Sequence, residues 1–399
     1  MTAIYFDNNA TTRPDPRVVE AMLPFLGSGF GNPSSMHQRG EAAKMAVQAA
    51  RAQVQALIGA ERPSEIVFTS GGTESNNTAI LAAIAAKPDR REIITSAVEH
   101  PAVLTTCEWL ENTQGFRLHK IPVDERGRLD VAAYEAALSE RVALVTFMWA
   151  NNETGVVFPV AELAKMGKAH GALFHTDAVQ AVGKMPIDVQ ATDIDMLSLS
   201  GHKLHAPQGI GALYVRRSIA FTPLLHGGRQ ERGRRGGTEN TPGIVALGEA
   251  AELAGTHLVE EETHVRKLRD RLEQNLIARI ADCFVVGDCE SRLDNTCNIA
   301  FHHVEGEDAI LLMDNAGLAA SLGSACAAGS FEPSHVLLAM KLPDSAVRGG
   351  VRFSLSRDNT EADVDRAIEI VANVIAKLRG ISADTPNEGA PDTREDAHV

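Results

Sequence analysis

Between about residue 40 and residue 217 the chain alternates between two hydrophobic periods, and this alternation limits its possible folds more than any other feature. Val47, Ala50, Val54, Leu57 and Ile58 recur at helical spacing, and Ile66-Val67-Phe68-Thr69 then forms a short apolar run of the kind found in a buried strand. Six further runs read the same way: 93–95, 118–121, 142–148, 172–176, 195–199 and 212–215. Helix-like segments such as 102–112 and 160–169 separate most of them. The pattern predicts an α/β fold with a seven-stranded, mostly parallel sheet covered by helices, because a parallel crossover needs a helix's length of chain. Ligands of such sheets bind beyond the carboxyl ends of the strands, which directs attention to the residues just past each run.

After a Gly- and Arg-rich loop at 227–237, Leu258, Val265, Leu268, Leu272, Leu276 and Ile280 predict a long amphipathic helix that links two domains. Strand-like segments at 298–302 and 351–355, with helical ones at 309–316 and 361–378, read as a smaller α+β domain. The expected partition is a large domain over 13–257 and a small domain formed by 1–12 and 258–381. The tail from 382 to 399 has no aromatic residue, two prolines and five acidic residues against one arginine, a composition that predicts disorder.

Composition removes several function classes. At 399 residues the chain is long enough for two or three domains of about 150 residues each. Its 38 Lys and Arg against 52 Asp and Glu give a net charge of −14, which disfavours nucleic acid and anionic membranes as partners. No apolar run approaches the ~20 residues that span a bilayer. The first seven residues carry neither the basic nor the apolar segment of a secretion signal, so a cytoplasmic location is expected. The five cysteines are an odd number without a Cys-x-x-Cys pair, which argues against a disulfide framework and a zinc knuckle. Cys107, Cys283, Cys289 and Cys297 have ordinary surroundings and read as buried, inert thiols.

Five segments carry chemistry. The run ending at Thr69 leads into Ser70-Gly71-Gly72-Thr73-Glu74-Ser75-Asn76-Asn77 and then a helix, a candidate phosphate cup made of close backbone, hydroxyls and free helix N–H groups. An ordinary capped helix after a glycine turn has the same sequence pattern. Past another strand stand Asp177 and Gln180, where a carboxylate is placed either to hold a protonated ring nitrogen or to cap a helix. Lys203 follows a buried strand among Ser200, Gly201, His202 and His205, a setting for a Schiff-base amine as well as for a surface lysine. Cys326 lies in Ser321-Leu322-Gly323-Ser324-Ala325-Cys326-Ala327-Ala328-Gly329-Ser330, where only Leu322 is not small, so its thiol is expected to be accessible on a mobile loop. Arg352, within Arg348-Gly349-Gly350-Val351-Arg352, could clamp a carboxylate with both arms of its guanidinium or form an ion pair.

Together these segments resemble the cysteine desulfurases of the class-V aminotransferase family, which share the aspartate aminotransferase-like fold type I of pyridoxal-phosphate enzymes. The resemblance runs from Asp7-Asn8-Asn9-Ala10-Thr11-Thr12 through Gly31-Asn32-Pro33-Ser34-Ser35, Glu99-His100-Pro101, Asn151-Asn152-Glu153-Thr154-Gly155 and Arg235-Gly236-Gly237-Thr238-Glu239-Asn240 to Arg352-Phe353-Ser354. Met148-Trp149-Ala150 and Gly201-His202-Lys203-Leu204-His205-Ala206-Pro207 place it nearest the nitrogen-fixation type.

The resemblance implies pyridoxal 5'-phosphate bound covalently by Lys203, with Asp177 at its pyridine nitrogen and His100 over its face. Gly72, Thr73, Ser200 and His202 would hold its phosphate, Gln180 and Asn152 would address the ring hydroxyl and the substrate carboxylate region, and Arg352 would hold the carboxylate of L-cysteine. Thr238 would reach the phosphate of a neighbouring subunit, implying a homodimer. Cys326 would take the sulfur as a persulfide, leaving L-alanine, and pass it to an iron–sulfur scaffold or another acceptor protein, with a transient iron–sulfur cluster at Cys326. Selenocysteine lyase and a housekeeping desulfurase serving tRNA thiolation are the alternatives. Ala327-Ala328 after the cysteine, Gly72 in the cup and the acidic tail depart from the family's usual residues.

Overall fold

Val142–Met148 is seven residues long and buried at every position, which a strand achieves only when helices cover both faces of its sheet. The computed structural model describes residues 3–322 and 333–384. Its strands are β1 (Ile4–Tyr5), β2 (Ile66–Thr69), β3 (Glu92–Ser96), β4 (Arg117–Ile121), β5 (Val142–Met148), β6 (Leu173–Asp177), β7 (Met196–Ser200), β8 (Gly211–Val215), β9 (Cys283–Val285), β10 (Thr296–Phe301), β11 (Leu318–Ala319) and β12 (Gly350–Ser354). The α-helices are α1 (Pro16–Leu26), α2 (Gln38–Leu57), α3 (Gly72–Ala86), α4 (Pro101–Gln114), α5 (Val131–Ala137), α6 (Val160–Ala169), α7 (Thr241–Glu260), α8 (Arg266–Arg279), α9 (Gly306–Asn315), α10 (His335–Ala339), α11 (Asp344–Arg348) and α12 (Glu361–Asp384).

The seven expected strands are β2 to β8, each within one residue of the expected bounds, and they form one sheet in the order β2-β8-β7-β6-β5-β3-β4. Only β8 runs antiparallel to its neighbours, β2 and β7. Alternate side chains go to opposite faces. Phe68, Val145, Phe147, Leu197 and Leu199 pack with Val54 of α2 and Leu247 of α7. Val67, Leu144, Met196 and Leu213 pack instead with Ile80 of α3 and Val103 of α4. A third core joins Ile4 and Phe6 to Leu268, Leu272 and Leu276 of α8, to Ile299 of β10 and Phe353 of β12, and to Val371 of α12. In the three-stranded sheet β12-β10-β9 all pairs are antiparallel. These cores support the division into 13–257 and 1–12 plus 258–381, which stands as our proposal; Val336, Leu337 and Met340 nonetheless pack with the first core.

The structure corrects three expectations. The linking helix does not begin near Leu258: α7 starts at Thr241 and passes through a π-helical turn, Glu261–Val265, into α8. Its first half is rich in Ala and Gly and buried against α2, so it shows no amphipathic period. The small domain's expected strands leave out β9, which begins at Cys283; a three-residue, half-buried strand is too short to show a period. The last helix runs to Asp384, past the expected start of the tail at 382, and the rest of that tail lies outside the described residues. Among the described residues no helix is long and apolar enough to cross a membrane.

The α2–α7 contact depends on a residue with no side chain. A Cβ on Gly248 of α7 would lie 2.5 Å from the Ala50 Cα of α2, which neither backbone can accommodate without moving. Gly248→Ala is expected to lower the unfolding free energy by about 1–3 kcal/mol, measured by urea denaturation.

Candidate active site

Ten of the residues singled out in the sequence line one cavity of about 330 Å³ at the carboxyl ends of the sheet strands. They are Gly72, Thr73, His100, Asn152, Asp177, Gln180, Ser200, His202, Lys203 and Arg352. Parallel strands bring this about: β3, β5, β6 and β7 all end on the same side, and each delivers the loop that follows it.

Two polar residues of β6, two apart and so on the same face of the sheet, meet different surroundings. His175 points into the sheet's packing, between Thr146 Oγ1 at 2.8 Å and Ser198 Oγ at 2.9 Å, and burial pushes it down to about 3, so it is neutral. Two residues later Asp177 closes the strand and meets the cavity. Its carboxylate accepts from Asn76 Nδ2 at 2.6 Å and from the Val179 N–H at 3.0 Å.

The cup after β2 opens α3 with Gly72 at its first position. A Cβ there would stand 2.9 Å from Val179 Cγ2, so glycine is what lets the loop after β6 close over the helix end. Glu74 accepts from the Ser70 N–H at 2.8 Å and from Arg235 Nε at 2.9 Å. Burial pushes its carboxyl up, but these bonds win and hold it below the ordinary range.

Past β7, a single 3-10 turn, Gly201–Lys203, turns Lys203 into the cavity. Its Nζ donates to the Ala10 carbonyl at 2.6 Å and to the Asn9 carbonyl. The neighbouring His202 meets Thr11 Oγ1 at 3.2 Å; burial, then the charges of Lys203 and Lys184, pushes it down to about 4. His100 caps α4, its Nδ1 accepting the Ala102 N–H at 3.1 Å. In the neutral ring the proton is therefore on Nε2.

Arg352 on β12 is the largest fully buried side chain among the described residues, 1% exposed. It donates to the Asn152 carbonyl at 2.9 Å and to Asp7 Oδ1 at 2.7 Å. The arginine expected to hold a substrate carboxylate thus already carries a carboxylate of its own. Gln180 is similarly engaged, donating to the Asn9 carbonyl at 3.0 Å and accepting from Lys184 Nζ at 2.8 Å.

One expected site residue is not brought to the cavity. Thr238 is exposed on the loop before α7 and does not line it. Cys326, with its proposed cluster, lies outside the described residues. Of the other cysteines, Cys107 and Cys297 are buried, and burial pushes both thiols up, Cys107 to about 12. Cys283, on the edge strand β9, is half-buried and Cys289, in the loop after it, is exposed, against the expectation of burial. Among the described residues no group of three or more His, Cys, Asp or Glu side chains is disposed to hold a metal ion.

Sequence reasoning assigned no role to Asn9, Asn76, Glu99 or Lys184. Asn9 accepts on its carbonyl from Lys203 and Gln180, accepts on Oδ1 from Lys184 and Asn295, and donates to the Asn152 carbonyl and Thr296 Oγ1. The only signal for it was the polar Asp7-Asn8-Asn9 run straight after the apolar Ile4–Phe6 stretch.

The family model for class-V aminotransferases matches residues 4–367. A cysteine desulfurase of Gluconacetobacter diazotrophicus is 62% identical over 382 residues, 96% of each chain. The cysteine desulfurase NifS of Azotobacter vinelandii is 55% identical over 382 residues, 96% of this chain and 95% of its own. The solved structure of a NifS-like protein superposes with a TM-score of 0.88 at 37% identity, covering 94% of this chain and all of that one.

Beneath the cavity, Glu99 is wholly buried. Its Oε1 accepts from Ser96 Oγ at 2.6 Å and from the Met148 N–H at 2.9 Å, while Oε2 has no hydrogen-bond partner. Burial, aided by Asp177, outweighs these bonds and pushes the group up to about 8. Between the ordinary glutamate value and about 8 the folded protein therefore holds a proton that the unfolded chain has lost. Stability falls across that window as pH rises, by about 1 kcal/mol per unit. In Glu99→Gln this slope disappears, so urea denaturation is expected to show the variant gaining on the parent from mildly acid to mildly alkaline pH; a constant difference would refute the assignment.

Proposed function

Since this chain belongs to the class-V aminotransferase family and, within it, to the cysteine desulfurases, we propose that its cavity is where pyridoxal phosphate and L-cysteine meet. The observation that carries this reading is that Lys203, Asp177 and Arg352, from three distant parts of the chain, line one cavity. The residues present fit the cofactor. The phosphate has a helix N-terminus with Gly72 and Thr73, the Ser200 hydroxyl, and a neutral His202 that adds a donor. The ring nitrogen has the buried Asp177 carboxylate, and the aldehyde carbon has the Lys203 amine. His100 would cover the ring face, and Gln180 would meet its hydroxyl.

When bound, the cofactor supplies an electron sink that weakens bonds at the substrate's Cα. Arg352 and Asn152 orient the carboxylate of L-cysteine, Arg352 sharing its guanidinium between that group and Asp7. Asp177 keeps a proton on the ring nitrogen. Lys203, once displaced by substrate, takes the Cα proton. The Cys326 thiolate then attacks the substrate sulfur: an S–S bond forms, the C–S bond breaks, its electron pair takes up a proton on the carbon that carried the sulfur, and Lys203 returns the Cα proton. L-alanine leaves and Cys326 carries the persulfide. The small residues on both sides of Cys326 support a carrier role.

Delivery to an iron–sulfur scaffold, in the nitrogen-fixation setting, is our reading of the acceptor, with a transient cluster at Cys326 as cargo. A homodimer in which Thr238 serves the neighbouring phosphate belongs to the same proposal. It is supported by the exposed position of Thr238, away from the cavity of its own chain. A cytoplasmic setting, which keeps thiols reduced, goes with it.

Borohydride is expected to fix the cofactor to Lys203, and Lys203→Ala to be colourless. Cys326→Ala is expected to stay yellow and lose sulfide release from L-cysteine by at least about a hundredfold; full activity with reductant would remove Cys326 from the route. If that variant keeps activity on selenocysteine, the loss is specific to the sulfur step. Arg352→Lys is expected to raise KM for L-cysteine roughly tenfold, the equivalent of about 1.4 kcal/mol for a lost two-armed contact, read by steady-state kinetics.

A further inference from the structure

The cup after β2 contains an acid that this route does not use. Glu74 stands in the first turn of α3, immediately after Thr73. No side chain caps that helix end, whose N-cap is Gly71, so its first N–H groups and the positive end of the helix dipole are what an anion would use. A glutamate there is itself an anion in that field. It has a structural reason to stay: its Oε2 accepts the Ser70 N–H at 2.8 Å and so closes the turn Ser70-Gly71-Gly72 that forms the cup. A phosphate and a carboxylate at one end of a helix nevertheless repel each other.

Arg235 is the cation that pairs with Glu74 among the described residues. Its Nε donates to Oε1 at 2.9 Å and a terminal nitrogen donates to Oε2 at 3.2 Å, the two-armed geometry that matches a guanidinium to a carboxylate. The two side chains are 24% and 11% exposed, so water screens this pair less than it screens a bridge on the open surface. Burial pushes the Glu74 carboxyl up, but the bonds from Arg235 and Ser70 bring it below its ordinary range. The bond to Glu74 in turn raises the Arg235 guanidinium.

A second ion pair, four residues earlier, fixes the loop from which Arg235 reaches. Glu231 is 6% exposed and takes both arms of Arg51, at 2.7 and 2.5 Å, together with the Phe68 N–H of β2 at 3.1 Å. The backbone makes that contact through two non-glycine residues in the left-handed region, Glu231 at φ 46° and Arg232 at φ 59°. Such a conformation persists only where surrounding bonds enforce it. Glu231 is thereby matched by Arg51, and Glu74 by Arg235.

We propose that Arg235 is a positioning residue of the phosphate site: acting through Glu74, it cancels the charge of the acid that closes the cup, so that the end of α3 can take a phosphate. The proposal rests on the reading of that cup as the place of the cofactor's phosphate.

The test is the affinity of the full-length protein, stripped of cofactor with hydroxylamine, for pyridoxal phosphate and, in parallel, for pyridoxal, which lacks the phosphate. Both are read from the absorbance of the bound form. Arg235→Met leaves one negative charge at the cup, Glu74→Gln leaves one positive charge while keeping an oxygen for the Ser70 N–H, and the double variant leaves neither. Affinity for pyridoxal phosphate is expected to follow that charge: about tenfold weaker in Arg235→Met, the equivalent of about 1.4 kcal/mol, and back within about threefold of the parent in the double variant. Glu74→Gln is expected to bind it at least as tightly as the parent. Pyridoxal is expected to bind all four proteins alike, having no phosphate to be repelled. A double variant no tighter than Arg235→Met overturns the proposal, because an arginine that merely tethers its loop is not replaced by removing its partner's charge. Equal losses for both ligands overturn it too, since they mean damage to the fold. If Arg235→Met does not fold, Glu74→Gln decides the matter: weaker binding of pyridoxal phosphate with unchanged binding of pyridoxal refutes the proposal. A parent that binds the two ligands equally refutes the cup itself as a phosphate site, whatever the variants do, and the role of Arg235 falls with it.

Discussion

The hydrogen bonds of Asn9 hold the two parts of the site together. Residues 7–12 leave the small core, where Ile4 and Phe6 are buried, and cross to the carboxyl edge of the seven-stranded sheet, where the Thr12 N–H bonds the His202 carbonyl. A segment crossing there has to satisfy its own backbone in a buried place. It does so by giving the Asn9 and Ala10 carbonyls to Lys203 and Gln180, and the Asn9 side chain to Lys184, Asn295 and Thr296. The Asn9 N–H adds a bond to the Ser354 hydroxyl oxygen of β12. Lys203 and Arg352, to which we assign the cofactor and the substrate carboxylate, are thereby referred to one strip of backbone, since Asp7, two residues earlier, pairs with Arg352. Buried polar networks of this kind rigidify only when every member is satisfied.

Charge is arranged around that strip with an evident division. On the sheet side lie acidic groups, Asp177 at the cavity and Glu99 beneath it, the latter held protonated by burial. Behind the N-terminal strip lie Lys203, Lys184 and Arg357. A bound group with a basic ring nitrogen at one end and anionic substituents elsewhere suits such a field, because each end meets the opposite sign without a rearrangement of the protein.

The seven strands of the large sheet were legible because each is an unbroken apolar run bounded by polar turns, and a strand covered on both faces has no choice but to be apolar throughout. The same reasoning found Asp177, Lys203 and the cup, since polar residues immediately after such runs are conspicuous. It passed over β9, whose three half-buried residues carry no period, and the first half of α7, whose Ala and Gly residues leave little apolar contrast between its faces. It also passed over the partners. That Arg352 meets Asp7, 345 residues away along the chain, leaves no local trace, and neither does the meeting of Lys184 with Asn9 across 175 residues.

The sequence by itself determined the class of fold, the order of the strands along the chain and the chemical types gathered at their ends, because periodicity and turn residues are local properties of the chain. Only the tertiary structure decided which of those residues face one cavity and in what electrical state. His175 and Asp177, two residues apart on one strand, end as a neutral core histidine and a cavity carboxylate. Burial and long-range neighbours set protonation and hydrogen-bond direction, and both depend on what the fold packs against a side chain rather than on what precedes it.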